Sequence, residues 1–335
     1  MNSRLLQIVS ALCVLVASLP VSAAQRTFVS GSGVDSNPCT LTLPCRSFAA
    51  AITQTSIGGE VIVLDSAGYG PVAITQSVSI IAPVGVYAGI SVPVGGTGVA
   101  ITTAGVSATL RGLTINGAGD GYGIRMTDGA ELSVENCAIA NFAGAINASG
   151  ISIESAATVK ISGTIVRDSE NAIVVGFGAN ANILNSQIVR SGSYGIRLFG
   201  GVTTTTNIVI ADSLVSGNGY AGTTSCIGLF QTGVLANIVV TGVTVNSCSW
   251  AIENQPDGAG TIAVNNSTVT GNGFGILNNT TPTSTGILTV TNSSVTGNVT
   301  GFANIGTGTF RSLGNNNVSG NASDIQGVIT TIATQ

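Results

Sequence analysis

The chain has 335 residues, and with 10 basic and 14 acidic side chains its formal net charge is −4. No basic run could track phosphates, because nucleic-acid binding depends on clustered Lys and Arg that release counterions, so nucleic acid is not an expected partner. Histidine is absent, which removes the usual general base near neutral pH and the commonest metal ligand. The 46 glycines, with abundant Thr, Ser, Val, Ile and Asn, suit pleated strands broken by tight turns, arranged as one long repetitive domain.

Residues 1–24 read as an export signal. Arg4 supplies the positive start, residues 5–19 the apolar stretch and Val21-Ser22-Ala23-Ala24 the small-residue cleavage site. A mature chain beginning at Ala24 or Gln25 is expected in the periplasm or outside the cell. The apolar stretch is short for a bilayer span, and no later segment is long and apolar enough to cross as a helix, so no integral membrane segment is expected after signal removal.

An exported chain meets an oxidising compartment, where disulfides persist. Cys39 and Cys45 flank a short loop in Pro38-Cys39-Thr40 and Pro44-Cys45-Arg46, and a bridge there would staple the start of the domain. Cys226 and Cys248 are the next candidate pair, the alternative being two buried free thiols in a coil interior. Cys13 leaves with the signal, and Cys137 is read as unpaired core.

Residues 46–55 (RSFAAAITQT) form the one convincing helix: Ser47 can cap it, and Phe48, Ala51 and Ile52 make an apolar stripe. It would cover the open end of the first coil, whose strand edges are otherwise unpaired. Residues 25–57 thus form an N-terminal cap and residues 58–335 the repetitive body. Short apolar runs at residues 60–64, 72–74, 78–81 and 99–101 begin that body.

From residue 108 onward the chain aligns to itself. ILNSQIVRSGSYGIRL (183–198), VNNSTVTGNGFGILN (264–278) and VTNSSVTGNVTGFAN (290–304) share one template: an apolar strand, an Asn corner, a second short strand, a Gly-Asn turn and a third strand. Ile173, Ile196, Ile227, Ile252, Ile276, Phe302 and Ile325 recur at spacings of 23, 31, 25, 24, 26 and 23 residues. Three short strands cannot bury their apolar faces alone, so successive coils must stack and pair in parallel. The expected fold is all-β, a right-handed parallel β-helix of about ten to eleven coils behind the capping helix. Asn185, Asn266, Asn292 and Asn316 are placed at the first corner, where stacked amides can bond coil to coil.

The N-terminal residues and the coils behind them resemble the right-handed β-helix proteins of the pectate-lyase-like superfamily. The resemblance rests on Phe28-Val29-Ser30-Gly31-Ser32-Gly33, Asp35-Ser36-Asn37-Pro38, Pro44-Cys45-Arg46-Ser47-Phe48 with Ala51-Ile52, and Gly68-Tyr69-Gly70-Pro71. It implies a fold that hosts lyases, hydrolases, epimerases and adhesins. The acidic clusters, Gly-His-Gly segment and Ca-binding Asp motifs of its polysaccharide-cleaving members are not intact here.

Charge is dense in one stretch. Arg167 and Arg190, 23 residues apart, are aligned to the same position of adjacent coils, followed by Asp168 and Glu170, with Arg197 opening the next strand. They are the candidate catalytic or sugar-binding groups, Arg neutralising an acidic sugar while Tyr194 or Phe199 packs on its face. The plainer reading is a solvated ion-pair face. Arg111, Asp120, Arg125 and Asp128 form a second group. Its Asp residues could hold calcium, but no calcium-repeat spacing is present, and no cofactor or metal is assigned. The functional expectation is an exported, non-catalytic β-helix whose polar surface binds polysaccharide, cell envelope or protein. The alternatives are a divergent polysaccharide lyase and a unit of an end-to-end assembly through the last coil.

Overall fold

The computed structural model describes residues 24–200, 204–219, 224–231, 236–256 and 258–333. The expected export signal, apart from Ala24, and Cys13 lie outside them. Each coil runs through three strands, as in Asn180–Leu184, Gln187–Val189 and Tyr194–Gly200. Strands of successive coils pair in parallel and build sheets A, B and C, of 13, 11 and 11 strands. The solenoid makes about ten turns, right-handed as crossovers between parallel strands almost always are.

Alternation of apolar and polar residues sets the register. Ile208 and Ile210 on sheet A are buried while their neighbours face out. The expected column holds on sheet C, where Ile173, Ile196, Ile227, Ile252, Ile276, Phe302 and Ile325 are consecutive register partners. All are buried except Ile325, on the last described coil. Each buried Ile contributes about 1.5–3 kcal/mol of apolar burial, and only stacking buries the column.

The corners are made by left-handed residues, which Gly, Asn and Asp tolerate best. At the first, between sheets A and B, Asn185, Asp212, Asn266 and Asn292 have φ of 47–49°. Asn316 does not belong to this column: one extra residue in 313–316 shifts it, so that it accepts from the Ser293 backbone N–H while Asn315 meets Asn292. The amide ladder expected here lies at the second corner, in the Gly-Asn turns between sheets B and C. Asn272 and Asn298 are buried there; Asn272 Oδ1 accepts from the Cys248 N–H, and Asn298 Oδ1 from that of Asn272. The first corner carries hydroxyls instead. Ser186, Ser213, Ser267 and Ser293 accept backbone N–H groups of the preceding coil.

The helix is shorter than expected, Phe48–Gln54, capped by Ser47 and burying Phe48, Ala51 and Ile52. Strand Ala24–Val29 precedes it and pairs with Thr55–Val63, so sheet A begins before the helix. Cys39–Cys45 and Cys226–Cys248 are disulfides, with Cα atoms 4.7 and 5.9 Å apart. Cys248 follows a left-handed Ser247 as Asn218 follows Gly217, and its bridge to Cys226 fills the space that an Asn amide fills in other coils. Cys137 is free and buried, its thiol pushed up to about 11 by burial. Among the described residues no helix is long and apolar enough to cross a membrane.

Candidate functional site

The dense charged stretch divides between two faces. Arg167 is the register partner of Val189, not of Arg190; the alignment slips by one because Asp168 and Arg190 are the left-handed corner residues, with φ of 53° and 57°. Arg190 grips Asp168 through two bonds of 2.8 and 2.9 Å, and Arg167 pairs with the same carboxylate. Asp168 is held below the usual carboxylate range, chiefly by its Arg190 hydrogen bond. One acid bridges two arginines that both reach solvent, an arrangement that contributes little to stability. Glu170 accepts from the Ser193 hydroxyl.

Arg197, Tyr194 and Phe199 stand on the outer side of sheet C, away from that triad. The second group separates as well. Arg111 pairs with Glu135 on sheet A, Arg125 lies on sheet C, and Asp120 and Asp128 occupy turns. Among the described residues, no three acidic or Cys side chains gather as metal ligands.

Sheet C brings Arg125 and Arg197 together. Arg125, Ser152, Val174 and Arg197 are successive register partners on four coils, and the small side chains between the arginines leave a cleft of about 350 Å³. Its floor includes Ser149, Ser152, Asn171 and Val174, and Ile146, Phe177 and Phe199 form its rim. The rim residues are 78%, 44% and 46% exposed, large apolar groups over a polar floor.

The two arginines differ in state. Arg125 stacks on Tyr122, its Cζ 4.5 Å from the ring centroid, and grips Glu154 through bonds of 2.8 and 2.9 Å. Burial pushes the Glu154 carboxyl up, but Arg125 and the Ser152 hydroxyl outweigh it and leave the group below its ordinary value. Arg197 lies half-buried against Tyr194 and Phe199, its Cζ 4.7 and 4.6 Å from their centroids. Its Nε is buried without a hydrogen-bond partner, and no ion pair engages it among the described residues. Burial lowers its affinity for the proton. Asn171, 2% exposed, donates through Nδ2 to the carbonyls of Ile146 and Ala148, while its Oδ1 is unpartnered. The cleft thus offers a guanidinium with no counter-ion among the described residues and two exposed rings.

Sequence reasoning missed Glu154, Asn171, Phe177, Phe230 and Glu253. A signal was present: the column running back from Ile173 to Ile151 and Ile124 places Arg125 and Arg197 at one outward position, each directly after the column Ile. Glu253 shares that position. It is fully buried, accepts from the Ser225 hydroxyl and from Asn279 Nδ2, and is raised to about 7 by burial.

A family model described as right handed beta helix region matches residues 97–285, more than half of the chain. The chain belongs to the right-handed β-helix family. No curated protein matches it in sequence. Among solved structures, this β-helix resembles pectate lyase Pel9A, with a TM-score of 0.61 and 16% identity over 84% of this chain and 80% of that one. It also resembles the GH136 lacto-N-biosidase from Eubacterium ramulus, with a TM-score of 0.54 and 11% identity over 92% of this chain and 67% of that one. XylC in complex with xylose gives a TM-score of 0.51 and 11% identity over 87% and 69% of the two chains. At these identities the likeness is one of fold.

Proposed function

We propose that the protein is an exported, non-catalytic β-helix that binds an acidic polysaccharide in the sheet C cleft. The observation that carries this reading is Arg197, a half-buried guanidinium without an acidic partner among the described residues, walled by Tyr194 and Phe199. A uronate carboxylate would supply the missing counter-ion, and the rims of Phe177 and Phe199 would pack on the ring faces. Glu154, tied down by Arg125, is a poor base, which favours binding over bond cleavage. Two disulfides agree with an acidic glycan of the cell envelope or its surroundings as partner. An array of acidic and neutral glycans tests the reading: retention of uronate-containing glycans is expected, and retention of neither class would reject it.

A lyase reading is favoured by Glu253, a buried carboxyl two coils from Arg197. Formation of an unsaturated uronate from any member of the panel would establish it and dismiss the non-catalytic reading. End-to-end association is favoured by the last described coil, where Ile325 and Val328 are 57% and 77% exposed. A strictly monomeric mass in solution at all concentrations would dismiss it.

A further inference from the structure

The two ends of the solenoid differ in how their strand edges are closed. At the start, the first strand of every sheet is covered. Cys39 and Cys45 bond to the backbone of Phe28 and Ser30 along strand Ala24–Val29 of sheet A, and Phe48 bonds to Tyr69 beside strand Ala67–Gly68 of sheet B. Helix Phe48–Gln54 packs on strand Val72–Ile74, the first of sheet C. At the far end, strands Asn317–Ser319, Ser323–Gln326 and Thr330–Ile332 are the outermost of sheets B, C and A, and no strand among the described residues pairs with their outer edges. Ile325, which ends the sheet C column, is exposed together with Val328 and Ile332, and Val318 and Ile329 are only partly buried.

Unpaired edges invite another strand, and three features select which one. The amide ladder of the second corner closes on itself: Asn321 Oδ1 accepts from the Asn298 N–H, but the Asn321 N–H and Nδ2 both donate to Asp324 Oδ1. Asp324 thus already holds the place that the corner Asn of a further coil would take, and a coil stacked onward in the same register would collide with it. The Ser323 N–H donates to the Val299 carbonyl, so Ser323 and Ile325 bond inward while Asp324 and Gln326 turn their backbone N–H and C=O to the open side. Finally, the chain climbs through sheets B, C and A in that order, so the end is a ramp with the sheet C strand midway. A two-fold axis through that strand sets the high side of one copy against the low side of the other.

We propose that the last described coil docks a second copy of this chain, tail to tail, about a two-fold axis at Ile325. This rests on the end-to-end reading of that coil and is independent of the cleft. Strands Ser323–Gln326 of the two copies pair antiparallel with Ile325 opposite Ile325, which carries the apolar column across the joint. Asp324 then stands opposite Gln326 of the second copy, a carboxylate against an amide donor, whereas a pair centred on Asp324 would oppose two carboxylates. Thr330–Ile332 of each copy meets Asn317–Ser319 of the other. Because the covered start offers no open edge, the assembly closes at two copies and builds no filament.

Ile325 meets its counterpart at a pair outside the hydrogen-bonded rungs, where Cα atoms lie about 4.5 Å apart, within reach of a disulfide. Under mild oxidation Ile325→Cys should therefore form a covalent dimer, and Ile57→Cys, exposed at the start of the solenoid, should not. Gln326→Pro removes an outward N–H without breaking a ladder bond of its own chain; it should melt as wild type does and remain monomeric. In sedimentation equilibrium the wild-type mass should rise with concentration from one chain to two and stop there. A series of larger species, or cross-linking through Ile57→Cys as readily as through Ile325→Cys, would overturn the two-fold joint and leave end-to-end association standing. The mass of one chain at every concentration, with no cross-link through Ile325→Cys, would overturn both.

Discussion

Arg197 enters the fold with no counter-ion among the described residues, and burial of an unpaired charge disfavours the folded state. Arg197→Met keeps the stem that packs between the rings and removes the charge. It should therefore melt at or above the wild-type temperature while losing about tenfold to hundredfold in affinity for an acidic glycan, the equivalent of a charge-assisted hydrogen bond. A fall in melting temperature with unchanged affinity would make the residue structural. Glu253 gives a pH signature of its own. Its folded pKa, about 7, lies above the ordinary value of 4.5, so the folded state holds its proton longer than the unfolded chain. The stability this contributes is full below pH 4.5 and is lost as the pH rises through 7. Wild type should accordingly melt lower at pH 7.5 than at pH 5, and Glu253→Gln should remove that part of the slope; an unchanged slope in the variant would contradict the burial argument. Asp168 and Glu154, both lowered, act in the opposite sense, and their contribution is lost only as the pH falls through the carboxylate range.

Among the elements, the two corners divide the work of joining coils. Asn272 accepts the Cys248 N–H and donates to the carbonyls of Val245 and Thr270. Asn272→Ala would strand these buried groups, with an expected loss of about 2–3 kcal/mol in urea denaturation. Asn185 contributes mainly a left-handed φ of 48°, so Asn185→Gly should change stability by less than about 0.5 kcal/mol. Equal effects at the two sites would refute the division. The Cys226–Cys248 bridge spans a sequence separation of 22, and its reduction should lower stability by about 3 kcal/mol, measured by the urea midpoint with and without reductant. The period and the apolar column were legible in the sequence because period-two burial leaves a direct trace in Ile196, Ile227 and Ile252. The amide ladder was misplaced because Asn is favoured both as a left-handed residue and as an inward ladder, and only register separates Asn185 from Asn272.

At the scale of the whole molecule, the fold places on one sheet residues that the sequence holds far apart. Arg125 and Arg197 belong to one site although two coils lie between them, whereas Arg167 and Arg197, close in sequence, stand on different sheets. Charge density along the chain pointed to Arg167 and Arg190, because a linear reading weighs neighbours in sequence rather than neighbours in a column. A solenoid distributes a binding surface along its axis, and the sheet C cleft from Arg125 to Arg197 follows that axis. The most direct test is calorimetric titration of wild type, Arg197→Met and Arg190→Met with a uronate-containing oligosaccharide. Saturable binding by wild type and Arg190→Met, lost in Arg197→Met, is the predicted result; equal loss in both variants, or no binding by wild type, would contradict it.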